Sequence, residues 1–352
     1  MKKILYVGWL GFDNLGDELM YDVFKEVCDQ YFNPGSVTIP YIPMKKTYNV
    51  KDYDVVVLGG GSLLLQSYYI NILYQAVQLK KKVIIWGTGT DRLPKYSLKT
   101  LLDKNDKKSD YIPEKDRRRL KRIIQHASYV GVRGPLTYNL LKKMDLLTPK
   151  VKISGDPGFL LSRNLGGQKK DKKNVKKTIG INWGTTFNNI YGSNEAHVED
   201  EMVKVARDFI QKGYRIYIYS MWSEDIEPCK RLYNKLNDKQ HVTLSTRILN
   251  QNQLMDVLKN FSFTINFKLH ANIISYAANT PFIAIGYRFK IYDFAHSIGL
   301  PNLVVDTESK MLKQDILRIE QYIHENRKDI VSRFETTRKD YEYKLLNSLP
   351  LL

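Results

Sequence analysis

The stretch VGWLGFDNLGDE, residues 7–18, sets three glycines and two adjacent carboxylates between an apolar run and a helix-like pattern. A nucleoside-triphosphate loop needs G-x-x-x-x-G-K-[ST] and a dinucleotide loop needs G-x-G-x-x-G. With glycines at 8, 11 and 16 the turn fits neither, and Asp17 and Glu18 stand where a phosphate loop would carry its lysine. Asp17 is placed to cap a helix beginning at Glu18. Asn14 and Asp17 at the end of a first strand also suit sugar hydroxyls, or the orientation of a nearby base, better than they suit phosphate.

Three further glycine clusters break apolar runs: VVVLGGGSLLL with Gly59, Gly60 and Gly61, IIWGTGTDR with Gly87 and Gly89, and INWGTTFNN with Gly184. Each alone reads as a tight turn. Together, at strand ends, they offer close backbone approach and N–H groups to a polar, anionic ligand. FTINFKLHANIISYAANTPFIAI reads as strand, turn, helix and strand, with His270 at the helix start and Ile274 and Ala278 facing a sheet. A helix N-terminus disfavours an imidazolium, so an unliganded His270 is expected to lose its proton more readily than a free histidine. A cap or a packed side chain is its other reading. Arg133 follows the strand SYVGVR and precedes Gly134-Pro135, a turn that throws it to the sheet's carboxyl edge or leaves it on the surface. Asp156, between Gly155 and Pro157, makes an Asx turn or orients a cation. His126, His197, His241, His296 and His324 have no partner at metal-ligand spacing, and no metal is expected.

The elements that must position these residues alternate strand with helix, the pattern of a parallel sheet with crossover helices. Strands are predicted at 4–7, 36–39, 54–58, 82–86, 129–132 and 151–153, and again at 178–182, 215–219, 241–244, 263–267 and 282–285. Between the first two, Leu19, Val23 and Val27 recur every fourth residue. The division is a Rossmann-like domain over 1–162, a basic linker over 163–177 containing KKDKKNVKK, a second Rossmann-like domain over 178–307, and charged helices over 308–352 with Leu312, Ile316 and Ile319 in one stripe. Two doubly wound α/β domains bind ligand in the cleft beyond their strands' carboxyl ends.

GFDNLGDE, GGGSLL, WGTGT, GVRGPLT at 131–137, SGDPGFLL at 154–161 and FKLHANIISYAANTPFIAIGYRFK at 267–290 occur in the order found in the polysaccharide pyruvyl transferase family, which the chain resembles over residues 4–295. The resemblance implies a fold similar to the glycosyltransferase B type and transfer of the enolpyruvyl group of phosphoenolpyruvate to sugar hydroxyls as a pyruvate ketal. It implies no cofactor beyond that co-substrate. It assigns donor binding to Arg133 and Lys268 and the general acid to His270, and it favours Lys290 over Arg288 in the turn after the strand at 282–285. Donor binding then involves Arg133, Lys268, Lys290 and Gly184, with the acceptor beside Asn14, Asp17, Gly60 and Gly61. Lys268 stands where the family usually has arginine, keeping the charge but losing bidentate recognition. A bound trianion would favour the charged His270 ring, arming it only when donor is present.

The chain's 55 Lys and Arg against 37 Asp and Glu leave a formal +18, which calls for an anionic partner or a solvated basic surface. KDRRRLKRIIQHA at 115–127 carries Leu120, Ile123 and Ile124 at helical spacing with its charges outward. No nucleic-acid module is recognisable, so no specific nucleic acid is expected. A lipid-linked acceptor at an anionic membrane surface fits the charge. No apolar run reaches the roughly 18 residues that span a bilayer, the start MKKILYVGWLGFDN lacks a leader's apolar core, and Cys28 and Cys229 lie far apart. A cytoplasmic protein, peripheral to a membrane, is the expectation. Two rival readings stay open: a sugar-nucleotide glycosyltransferase of the same fold, and a non-enzymatic binder of polyanions.

Overall fold

The computed structural model describes residues 1–32, 35–42, 48–103, 111–164 and 177–352. Its first sheet consists of β1 (Lys2–Val7), β2 (Ser36–Tyr41), β3 (Val55–Leu58), β4 (Lys82–Thr88), β5 (Tyr129–Val132) and β6 (Val151–Ile153). They pair in parallel in the order β2-β1-β3-β4-β5-β6. The helices between them are α1 (Leu15–Phe32), α2 (Ser67–Gln78), α3 (Tyr96–Leu102), α4 (Glu114–His126) and α5 (Pro135–Lys143). Leu19, Val23 and Val27 are all buried on α1, as their spacing predicts. On α4, Leu120, Ile123 and Ile124 face inward, while Arg117 and Arg118 pair with Glu114 on the same helix.

The second sheet repeats the plan with β7 (Thr178–Asn182), β8 (Arg215–Tyr219), β9 (Val242–Ser245), β10 (Phe263–Asn266), β11 (Phe282–Gly286) and β12 (Val304–Asp306), ordered β12-β11-β10-β7-β8-β9. Helices α6 (Glu195–Gln211), α7 (Ile226–Leu236), α8 (Gln251–Leu258), α9 (Leu269–Ala277) and α10 (Phe289–Ser297) lie between its strands. The chain is therefore two Rossmann-like domains, as read from the sequence. β12 went unpredicted because its three residues are too few to show a period. The basic linker falls outside the described residues except at its two ends.

Strand order reverses between β1 and β3 in one sheet and between β7 and β10 in the other. Such switch points leave a crevice beyond the carboxyl ends of the strands. Here they bring together the turns after β1, β3, β7 and β10, which hold most of the residues singled out above.

The two domains share a core. Phe159 stacks on Tyr341 at 4.7 Å and lies 5.0 Å from Tyr276. Tyr341 belongs to α11 (Leu312–Leu346), whose backbone leaves helical geometry at Asn326. Leu312 and Ile316 of its apolar stripe are buried, and Ile319 is partly buried. Past the break the helix returns to the first sheet, where Trp86 Nε1 donates to the Leu345 carbonyl at 3.3 Å and Lys2 Nζ to that of Leu352 at 2.7 Å. Both cysteines are buried and unbridged.

Candidate active site

A cleft of about 550 Å³ opens between the facing carboxyl edges, lined by the turns after β1, β3, β4, β5, β7, β8, β10 and β11. His270, Arg133, Lys268, Lys290, Asn14, Asp17 and Gly61 all line it. Gly60 and Gly184 do not. A Cβ at Gly60 would meet Met20 and Pro157, and one at Gly184 would fall 2.2 Å from the Asp225 carboxylate. Both glycines pack closely against the walls behind the cleft.

The amino-terminal turn corrects one expectation. The helix begins at Leu15, not Glu18, and Asn14 is its cap: Asn14 Oδ1 accepts from the Gly16 N–H at 2.9 Å. Asp17 is thereby released from capping and lies within the first turn, facing the cleft. Gly16 has a purpose the sequence did not disclose. A Cβ there would sit 1.9 Å from His270 Nδ1, so only glycine lets the imidazole lie against the start of α1.

His270 occupies the first turn of α9, after Lys268 at the cap. Asn182 fixes this turn by accepting the Lys268 N–H at 2.8 Å, and it is itself tied to the Tyr219 carbonyl at 3.0 Å. The His270 Nε2 atom is shut off from solvent and has no hydrogen-bond partner among the described residues. Burial pushes its pKa down to about 3, and the charges of Lys290 and Arg133 push the same way. The ring is neutral at physiological pH, as the helix-terminus reading expects, but desolvation and neighbouring cations are the cause.

Arg133 is fully buried, which settles the choice between a cleft wall and the surface. Its Nη2 donates to the Thr90 carbonyl at 3.1 Å, and Asp156 and Asp293 carboxylate oxygens each lie 4.0 Å from the guanidinium. Asp156 plays both roles considered for it: Oδ1 accepts the Gly158 N–H at 2.9 Å in an Asx turn, while Oδ2 faces Arg133. Burial raises its pKa to about 6 against the opposing pull of Arg133. Asp293, from α10 of the other domain, accepts the N–H groups of Leu136 and Thr137 at 2.9 and 3.2 Å and the Thr137 hydroxyl at 2.6 Å. A carboxylate at the N-terminus of α5 satisfies donors the helix leaves open and locks the two domains together.

The other cations are backed in the same way. Lys268 Nζ donates to the Thr185 carbonyl at 2.6 Å, lies 2.9 Å from Asp225 Oδ1 and sits over the Trp222 ring at 5.2 Å. Lys290 and Arg288 share Asp91 at 3.5 and 3.0 Å, so both residues of the pair reach the cleft. Burial would raise Asp91, but Lys290 and Arg288 outweigh it and hold the carboxyl below its usual range. Asp17 differs. Burial raises its pKa to about 7, with Lys290 pulling the other way, so it changes charge near neutrality. Sequence reading missed Asp91, Asp225 and Asp293. Asp293, the one acid in α10, was the one visible signal.

This arrangement can bind a small polyanion between cations beside a neutral imidazole, with the titrating Asp17 carboxyl in the same lining. A family model for polysaccharide pyruvyl transferases matches residues 14–288, from the Asn14 cap to the turn after β11. The chain belongs to the polysaccharide pyruvyl transferase family. This pyruvyl transferase family member is 23% identical over 297 residues to the amylovoran biosynthesis protein AmsJ of Erwinia amylovora, covering 78% of this chain and 67% of that one. Among solved structures it is similar to MnaA of S. aureus with UDP (TM-score 0.61, 10% identity, 95% of this chain and 90% of that one). It is similar too to a putative UDP-N-acetylglucosamine 2-epimerase from Listeria monocytogenes (0.58, 8%, 95% and 91%). A third likeness is to sucrose-phosphate synthase from Thermosynechococcus elongatus (0.56, 11%, 100% and 96%). At these identities the likeness is one of fold, the two-domain glycosyltransferase B arrangement. Among the described residues no helix is long and apolar enough to cross a membrane, and no group of three or more His, Cys, Asp or Glu is placed to hold a metal ion.

Proposed function

We propose that this family member transfers the enolpyruvyl group of phosphoenolpyruvate to two hydroxyls of one sugar in a glycan or glycan precursor, forming a pyruvate ketal and releasing phosphate. The observation that carries the proposal is His270, held neutral by burial and by Lys290 and Arg133 in the same cleft. A trianionic donor set against those cations reverses the balance and favours the imidazolium. His270 then gives its proton to the methylene carbon, and the first sugar hydroxyl attacks the cationic C2. The second hydroxyl replaces phosphate at C2, closing the ketal, and the protons of the two hydroxyls leave one to restore His270 and one with phosphate. Asn14 and Asp17, at the start of α1 beside His270, face the acceptor.

Supporting the acceptor class are the family itself and a relative named for amylovoran biosynthesis. Incubation of the protein with phosphoenolpyruvate and candidate glycosides, read by mass spectrometry for the added ketal and by phosphate release, tests the proposal. Thermal stabilisation by uridine or guanosine diphosphate alone, with none by phosphoenolpyruvate, would replace it with a sugar-nucleotide glycosyltransferase.

A further inference from the structure

The mouth of the cleft is built differently from its floor. Trp9 and Phe12 of the amino-terminal turn stack at 4.5 Å and 15°, which covers one face of the Trp9 indole. Trp222, after β8, meets Trp9 edge-on at 6.0 Å and 70°, and Phe187, after β7, meets Trp222 at 6.1 Å and 90°. Trp9, Phe187 and Trp222 line the same cleft as His270.

Phe187 is 64% exposed. Its backbone and that of Asn188 both lie in the left-handed region, at φ 54° and 60°. A bulky residue there is strained, and such strain persists only where its surroundings over-determine it. They do so here. Glu195 accepts the Thr186 N–H and both threonine hydroxyls of Thr185 and Thr186 at 2.7 Å, and Asn188 Nδ2 donates to the Ser193 carbonyl at the same distance. The loop is thus held with its phenyl ring out over the cleft. Trp222 is fixed as firmly: its Nε1 donates to the Phe12 carbonyl at 2.9 Å, and the backbone beside it pairs with Asn14 and Leu15 of the other domain.

We propose that Trp9, Phe187 and Trp222 form a carbohydrate-stacking subsite that seats the apolar face of the acceptor's pyranose ring. The inference rests on the acceptor half of the proposed reaction and deepens it. A pyranose presents axial C–H bonds on one face and hydroxyls at its edge. The C–H face suits the electron-rich face of an indole or phenyl ring, while the edge finds polar side chains such as Asn14, Gln66 and Asn189 in the same lining. Rings near 70° and 90° to each other make a corner, not a parallel slot. A corner fits a puckered ring, whereas a flat nucleobase gains most between parallel faces. Continuity with the cleft of His270 makes the occupant the acceptor, because only a sugar seated there can present its hydroxyls to the donor.

The chain's four tryptophans make the test direct. Trp86 and Trp183 are buried, so a ligand at the mouth acts on the emission of Trp9 and Trp222. Purified protein is titrated with methyl gluco-, galacto- and mannopyranosides, with and without phosphoenolpyruvate, and its melting temperature is recorded with the donor alone. A saturable emission change with at least one glycoside is expected. It should weaken roughly three- to tenfold in Phe187→Ala and be restored in Phe187→Tyr, which keeps the aromatic face. The donor-induced thermal shift should match wild type in both variants, showing an intact fold and floor. Glycoside affinity unaltered in Phe187→Ala, no response to any glycoside, or a response to uridine monophosphate alone overturns the subsite. Loss of the donor shift in wild type with the glycoside response intact instead overturns the pyruvyl reading and leaves the subsite standing.

Discussion

At the floor of the cleft Arg133, Lys268 and Lys290 are each set against a buried carboxylate, whereas at its mouth Phe187, Trp9, Phe12 and Trp222 meet ring to ring, with Trp222 also lying under the Lys268 ammonium. The floor fixes charge. Asp156, Asp225, Asp293 and Asp91 hold their cations in place before any ligand arrives, so the charges need little reorganisation when an anion binds. The mouth fixes shape. Its rings carry no net charge, and Trp9 and Phe187 can be exchanged for others without unpairing a buried ion. Under the proposed reading the floor takes the donor and the mouth takes the acceptor.

Removing a charge from the floor should do the most damage. Arg133→Met should abolish detectable ketal formation and, by leaving Asp156 and Asp293 buried without their cation, lower stability by about 3–5 kcal/mol at pH 8. Urea unfolding should show a smaller loss at pH 5, where those carboxyls can take up protons. Next comes His270→Gln, expected to cut turnover by roughly 10²- to 10⁴-fold while phosphoenolpyruvate still raises the melting temperature. Loss of both would make His270 a binding residue and blur the contrast between acid and grip.

Asp17→Asn isolates the titrating carboxyl. Because burial lifts the folded Asp17 to about 7, the folded state retains a proton there that the unfolded chain releases near 3.8. That contribution is full below the unfolded value and is lost as pH rises through 7. The asparagine variant should melt higher than wild type at pH 8–9 by a few degrees, and the gain should shrink on acidification and vanish near pH 4. The smallest effect is expected of Lys268→Arg. With Asp225 and the Thr185 carbonyl already holding the cation, KM for phosphoenolpyruvate should fall by less than about fivefold, through recovered bidentate contact.

How much of this was legible in the sequence follows from the range of each interaction. Strands and amphipathic helices are local patterns, and every strand except the short β12 was visible. So were His270, Arg133, Lys268 and Lys290, which sit at strand ends where a motif or a turn marks them. The carboxylates behind them were not. Asp293 reaches Leu136 across 157 residues, and no spacing encodes such a contact. The reading of Asp17 as a helix cap failed for a local reason, since Asn14 three residues earlier is an equally good cap and won. The aromatic mouth escaped notice because Trp9, Phe187 and Trp222 lie on three separate turns whose meeting depends on both domains.

The central claim is that the donor itself arms His270. Nuclear magnetic resonance of the histidine-labelled protein, with the His270 signal assigned by its absence in His270→Gln, measures this directly. Without donor the ring should stay neutral from pH 8 down to pH 5, and with saturating phosphoenolpyruvate it should take up its proton within that same range. A His270 that titrates like a free histidine without donor, or whose titration phosphoenolpyruvate leaves unchanged, would contradict the account.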